Sequence, residues 1–235
     1  MFFFDPMWFL FMLPPFIFMI YAQAKVSSTY GKYSKVPNMN RTTGVEAAQK
    51  LLQANGLGSV KIEVSKGMLS DHYDPGKKVL RLSPQVYNGS SVAAVGIVAH
   101  EVGHAVQDAT GYAMMRFRTS LVPAATLGSQ LGYAAVILGA LLAWMGASFG
   151  TTMIWAGVFL FSLVVLFSLV TLPVEYDASH RARQMMQSTA LVSRGDYQGA
   201  SAVLSAAALT YVAATLQAVA QLFYFIMLAM GGRRQ

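Results

Sequence analysis

Cysteine is absent from all 235 residues, and charged side chains make up only 11% of them, against roughly a quarter in ordinary soluble domains. Without cysteine there are no disulfides and no thiolate metal ligands, so any metal here must be held by imidazole and carboxylate. Those donors are scarce too. The chain has four histidines, His72, His100, His104 and His180, and ten Asp and Glu against 17 Lys and Arg. With 55% hydrophobic residues, the composition is that of a membrane protein carrying one modest polar domain.

Four stretches are apolar over the roughly 20 residues a helix needs to cross a bilayer. They run from Phe2 to Tyr21, Leu121 to Met145, Thr151 to Leu172 and Ala202 to Met230. Ala22-Gln23-Ala24 resembles a signal cleavage site, but no Lys or Arg precedes the first run and Pro14-Pro15 interrupts it, so a retained anchor is expected. Polar residues, among them Ser205, Thr210, Thr215, Gln217 and Gln221, make the last stretch either a span or a membrane-associated helix.

Of the 17 Lys and Arg, 12 lie between residues 23 and 120, three more are Arg181, Arg183 and Arg194, and the loop 146–150 has none. By the positive-inside rule the polar segment and the 174–201 segment are cytoplasmic. The net charge of +7 then calls for no nucleic acid; topology and anionic lipid headgroups account for it. Arg233 and Arg234 fit this poorly, since four full spans would leave them outside.

Within the polar segment, Thr43-Gly44-Val45-Glu46 is a capping box for a helix through Leu52, and Asn55-Gly56 is its stop signal. Ser59 to Val64 and Lys78 to Leu82 alternate with the period of half-buried strands on either side of the turn-rich Asp74-Pro75-Gly76. A small sheet is expected, with Lys78 to Leu82 offering an edge to an extended peptide. Ser90 and Ser91 are N-cap candidates for a helix to about Asp108.

That helix carries His100-Glu101-Val102-Gly103-His104. Residues four apart share a helix face, so His100 and His104 can direct ring nitrogens at one ion while Glu101 reaches a water beside it as general base. Chance would supply such a run in fewer than roughly one chain in a hundred of this size. A third ligand is needed. The second and third spans form a hairpin, so residue 174 returns to the face of the membrane that residue 120 left. Pro173 suits a helix start, which would place Glu175, Ala178 and Ser179 on one face. Glu175 is the expected ligand, with Asp177 and His180 as alternatives, although Asp177 pairs more naturally with Arg181 at i,i+4.

The motif, the segment PVEYDAS at 173–179 and the segment DHYDPGKKVLRLSP at 71–84 resemble the YugP-type bacterial membrane zinc metallopeptidases, a neutral zinc metallopeptidase family, over nearly the whole chain. More distantly they are similar to HtpX and CAAX-type membrane proteases, whose third ligand lies in a Glu-x-x-Ala-Asp segment. The resemblance implies one zinc ion held by His100, His104 and Glu175, Glu101 as catalytic base, and a bacterial inner-membrane location. Where the HtpX-like pattern ends in Asp, this chain has Ser179, so that Asp's role does not carry over.

The expected fold is mainly α: a multi-pass membrane protein with about four transmembrane helices and a small α+β, gluzincin-like HExxH domain. Its organisation would be an anchor at 2–22, a cytoplasmic zincin segment at 23–120, a transmembrane hairpin at 121–172, a third-ligand helix at 173–201 and a final helix at 202–231. The expected function is an integral membrane zinc metalloendopeptidase acting on membrane or membrane-proximal proteins. The competing reading is a non-catalytic, metal-containing membrane interaction protein, against which the retained Glu101 argues. An intramembrane protease is a weaker third, because Lys77, Lys78, Arg81, Gln107 and Asp108 leave too short an apolar run around the motif. His180, His72, Tyr73 and Tyr176 are candidates for stabilising an oxyanion. Gly128, Gly132, Gly139 and Ala143 form a small-residue stripe expected to pack spans within one chain.

Overall fold

A computed structural model of the chain describes residues 6–67 and 70–231. In chain order the elements are α1 (Pro6–Tyr33), α2 (Gly44–Ala54), β1 (Lys61–Val64), β2 (His72–Asp74), β3 (Val79–Leu82), α3 (Pro84–Asn88), α4 (Val92–Ala109), α5 (Ala113–Trp144), α6 (Gly150–Ser188) and α7 (Arg194–Gly231). The protein is therefore mainly α with a small sheet, as its composition and patterning suggest. The helices α1, α5, α6 and α7 are each long and apolar enough to cross a membrane. Residues 2–5 of the first expected span, and Arg233 and Arg234, lie outside the described residues.

Contacts divide the chain into two compact units. The first comprises Met1–Tyr21, Arg116–Leu172 and Thr210–Gln235. Its interior is apolar and aromatic: Met12, Val136, Ile154, Phe161 and Phe225 are buried, and the rings of Tyr133, Phe161 and Phe225 meet edge-on with centroids 5.2 Å apart. The small-residue stripe does pack spans within the chain. A Cβ on Gly128 would meet the Leu160 carbonyl, and one on Gly139 would lie 2.8 Å from the Ile154 amide nitrogen, so the two helices touch backbone to backbone. Leu10, Ile137 and Phe159 point outward, each more than 60% exposed, a pattern that suits hydrocarbon as the solvent.

The second unit comprises Ala22–Met115 and Pro173–Leu209. Its core is aliphatic, with Leu51, Leu52, Leu80, Leu82, Val95, Val98, Val102 and Met186 fully or almost fully buried. Thr43 caps α2 with a complete capping box: its hydroxyl accepts the Glu46 amide and Glu46 accepts the Thr43 amide at 2.8 Å. Ser91 caps α4, accepting the Ala94 amide at 3.1 Å.

The sheet departs from expectation. Its order is β1-β3-β2, with β1 and β3 parallel and β2 and β3 antiparallel, so β3 is the central strand. Its two edges are already paired and cannot receive a peptide; the outer strands of the sheet are β1 and β2. The reason is β2, a three-residue strand that the turn-forming Asp71 and Asp74-Pro75-Gly76 around it conceal in the sequence. Pro173 is also not a helix start. It lies inside α6, which runs unbroken from Gly150 to Ser188; the proline removes only one backbone donor, that to Leu169. In the same way α1 continues past Tyr21, through Lys25, Ser27 and Ser28, to Tyr33.

Candidate metal centre

Helix α4 is buried on nearly every side within the second unit, and two features fix what its motif faces. Val95, Val98 and Val102 anchor it in the aliphatic core. Gly103 lets α6 approach: a Cβ there would lie 2.6 Å from the Ala178 carbonyl oxygen and 3.3 Å from the Ala178 Cα. The two backbones are thus in direct contact, and Glu175, one turn before Ala178, is carried to the imidazoles. Its Oε2 lies 3.2 Å from His100 Nε2 and 3.5 Å from His104 Nε2. One ligand atom from each of the three residues lies within 4.8 Å of the others, a grouping that could hold a metal ion.

The donor set fits zinc. Zn–N and Zn–O bonds of about 2.0–2.1 Å in a tetrahedron put neighbouring donors about 3.3–3.4 Å apart, the range of the two nitrogen-to-oxygen separations. Charge is arranged to match. Burial works against the Glu175 carboxylate, but hydrogen bonds from His100 and His104 outweigh it and hold the group well below the usual carboxylate range. Burial likewise opposes protonation of His104, yet the bond to Glu175 and the charge of Glu101 raise its pKa. The carboxylates draw positive charge to this point.

The outer nitrogens are also held. His104 Nδ1 donates to Gln107 Oε1 at 2.9 Å, so Nε2 is the nitrogen turned to Glu175 and, once it gives up its proton, the one free to bind a metal. Gln107 is fully buried and its amide nitrogen donates to the Val174 carbonyl and to Asp177 Oδ2, both at 2.8 Å. Asp177 in turn accepts from Arg181 Nε at 2.6 Å, and the guanidinium sits 5.8 Å from the Tyr112 ring centre. Ser179 Oγ lies 3.2 Å from His100 Nδ1, so the serine holds the outer nitrogen of that imidazole.

Glu101 meets β2. It is 9% exposed, and its Oε2 accepts the Tyr73 amide of β2 at 3.0 Å. Burial pushes its carboxyl up, an effect that His100 and His104 oppose and Glu175 reinforces. The Tyr73 hydroxyl donates to Asp108 Oδ2 at 2.7 Å, and Lys78 pairs with the same oxygen. Tyr73 therefore clasps α4 at two points two turns apart.

Of the sequence-level candidates, the structure gathers His100, Glu101, His104 and Glu175, with Tyr73 and Ser179 around them. Asp177 is an Arg181 partner. His72, Tyr176 and His180 are exposed; His72 is bonded to the Ser70 carbonyl at 2.8 Å. In the sequence Gln107 reads only as a polar residue near the end of the helix. Its position three residues after a motif histidine is the one signal that could have found it.

A membrane protein with a buried two-histidine, one-glutamate cluster is the class that this fold and site define. Residues 8–230 match the family described as "Putative neutral zinc metallopeptidase", and the chain belongs to that family. It is also 41% identical over 213 residues to the "Putative membrane protease YugP" of Bacillus subtilis (strain 168), covering 91% of this chain and 92% of that relative. No solved structure matches the chain.

Proposed function

We propose that the protein is an integral membrane zinc metalloendopeptidase, with one zinc ion per chain held by His100, His104 and Glu175 and with Glu101 as general base. The observation that carries this is the approach of Glu175 to both motif imidazoles, at separations of 3.2 and 3.5 Å. Zinc bound there supplies Lewis acidity, polarising a carbonyl and lowering the pKa of water towards neutrality. The chain's own groups do the rest. Gln107 and Ser179 keep the outer imidazole nitrogens engaged, which fixes the rings as ligands. Glu101, oriented by the Tyr73 amide and made more basic by burial, takes a proton from the attacking water and returns it to the leaving amine.

Substrates in this reading are peptide bonds of membrane or membrane-proximal proteins, because the segments bearing the site continue directly into apolar helices. Residues 23–120 and 173–201 form the protease domain, on the cytoplasmic side of a bacterial inner membrane by the distribution of Lys and Arg. Glu101→Gln keeps the shape of the side chain and removes the base. It should lower cleavage of a reporter membrane protein by about 10³-fold with zinc still bound. Cleavage at the wild-type rate would end the assignment of Glu101, and a wild-type protein that binds zinc but cleaves nothing would favour an interaction protein.

A further inference from the structure

We infer that a cleft between the C-terminal part of α1 and the first turns of α7 binds the phosphate of an anionic phospholipid headgroup. This rests on the membrane-spanning reading of the helices and is independent of the proteolytic one. The cleft has a volume of about 600 Å³ and includes none of the four residues of the metal centre. Lys25, Ser28, Thr29 and Lys32 line one wall at i, i+3, i+4 and i+7, a single face of α1. Opposite them on α7 stands Ser205, which accepts a hydrogen bond from Arg183 Nη2 at 3.0 Å.

Two lysines and the hydroxyl-bearing Ser28, Thr29, Tyr33 and Ser205 line the cleft, with Arg183 bound to Ser205 behind them and no carboxylate in the lining. The Ser28 and Ser205 hydroxyls donate to the Lys25 and Ser201 carbonyls, so the lysines are the principal donors to an anion. Among the described residues neither lysine has an ion-pair partner, and both are exposed. The chemistry is that of a phosphate site, with point-charge donors and hydroxyls around an anion. Its position selects the source of the phosphate. Lys25 follows the apolar run of α1, which ends at Tyr21, by about one turn of the same helix, and Leu209, at the other end of the cleft, immediately precedes the part of α7 assigned to the apolar unit. A headgroup at this level keeps its acyl chains beside apolar helix surface, which a free phosphate would not use.

The test uses the full chain in a neutral detergent, with thermal unfolding followed against added phosphatidylglycerol, phosphatidylcholine or glycerol 3-phosphate. A lysine close to an anionic surface is worth roughly fivefold in affinity. Phosphatidylglycerol should therefore stabilise the wild type saturably at about 5- to 30-fold lower concentration than phosphatidylcholine, and glycerol 3-phosphate alone should have little effect. Lys25→Gln with Lys32→Gln should abolish that preference, Lys25→Arg with Lys32→Arg should keep it, and Lys50→Gln with Lys61→Gln, exposed lysines elsewhere, should leave it intact. If the double glutamine variant fails to fold, each single variant should still lose part of the preference. A preference that survives in the glutamine variants, or that falls equally in the Lys50 and Lys61 variant, would overturn the site. Full stabilisation by glycerol 3-phosphate would overturn the lipid in favour of a soluble phosphate, and stabilisation by polyglutamate instead of phosphatidylglycerol would overturn it in favour of an acidic protein segment.

Discussion

Gly103→Ala adds one methyl group at the point where α4 and α6 meet, and the structure allows its effect to be worked through. The new Cβ would lie 2.6 Å from the Ala178 oxygen, 3.2 Å from the carbonyl carbon and 3.3 Å from the Cα. A carbon and a carbonyl oxygen settle at about 3.3 Å or more, so α6 must retreat by about 0.7 Å. All three neighbouring atoms are backbone, and no side-chain rotation can absorb the clash. Glu175 lies one turn from Ala178 and moves with it, stretching contacts that are now 3.2 and 3.5 Å. Metal–ligand distances tolerate about 0.2 Å, so the shift exceeds what the site can accommodate. Stability changes less. Overpacking costs about 1–3 kcal/mol, while alanine in place of glycine in a helix returns about 1 kcal/mol. The expected variant is folded but binds zinc about 10- to 100-fold more weakly, a loss of the size seen when a ligand's support is removed. Competition against a chromophoric chelator measures this, with Gly31→Ala as control, since a Cβ at Gly31 meets nothing within 4 Å. Wild-type zinc affinity in Gly103→Ala would refute the argument that this close approach sets the site.

Gln107→Leu should lower zinc affinity by about 10- to 100-fold, because His104 Nδ1 and Asp177 both lose a buried partner, whereas Gln107→Glu keeps an acceptor for the imidazole and should lose less; the same chelator titration distinguishes them. Tyr73→Phe removes the bond to Asp108 and should cost about 0.5–1.5 kcal/mol in thermal unfolding with zinc binding retained. The Tyr73 phenol is held above its ordinary value of 10.0 by burial first and by Asp108 second. The unfolded chain therefore ionises first as pH rises, so the stability that this shift contributes is complete below about pH 10 and declines above it, and Tyr73→Phe should flatten that alkaline decline.

Local signals were strong where one side chain satisfies a backbone group nearby. Thr43 with Glu46, and Ser91 with Ala94, are caps readable from three or four letters, and both helices begin where those caps stand. The HExxH spacing was equally legible, since the helical period alone puts two imidazoles on one face. What the sequence concealed depends on distant partners. β2 exists because its three residues pair with β3, and nothing within His72 to Asp74 announces a strand. Pro173 reads as a boundary, yet α6 passes through it. Gln107 looks like a polar helix end until Val174 and Asp177 arrive from α6 beside the neighbouring His104. Gly103 falls in a variable position of the motif, and only the contact with Ala178 shows why a side chain there is unwelcome.

The most direct test of the central claim is zinc content per chain in the detergent-purified protein, by elemental analysis, for the wild type and for Glu175→Ala. The account predicts about one zinc per wild-type chain and a loss of most of it in the variant, whose two remaining imidazoles hold zinc far more weakly than three ligands do. Zinc retained at the wild-type level in Glu175→Ala, or a wild-type chain that takes up no zinc when supplied with it, would contradict the two-histidine, one-glutamate centre.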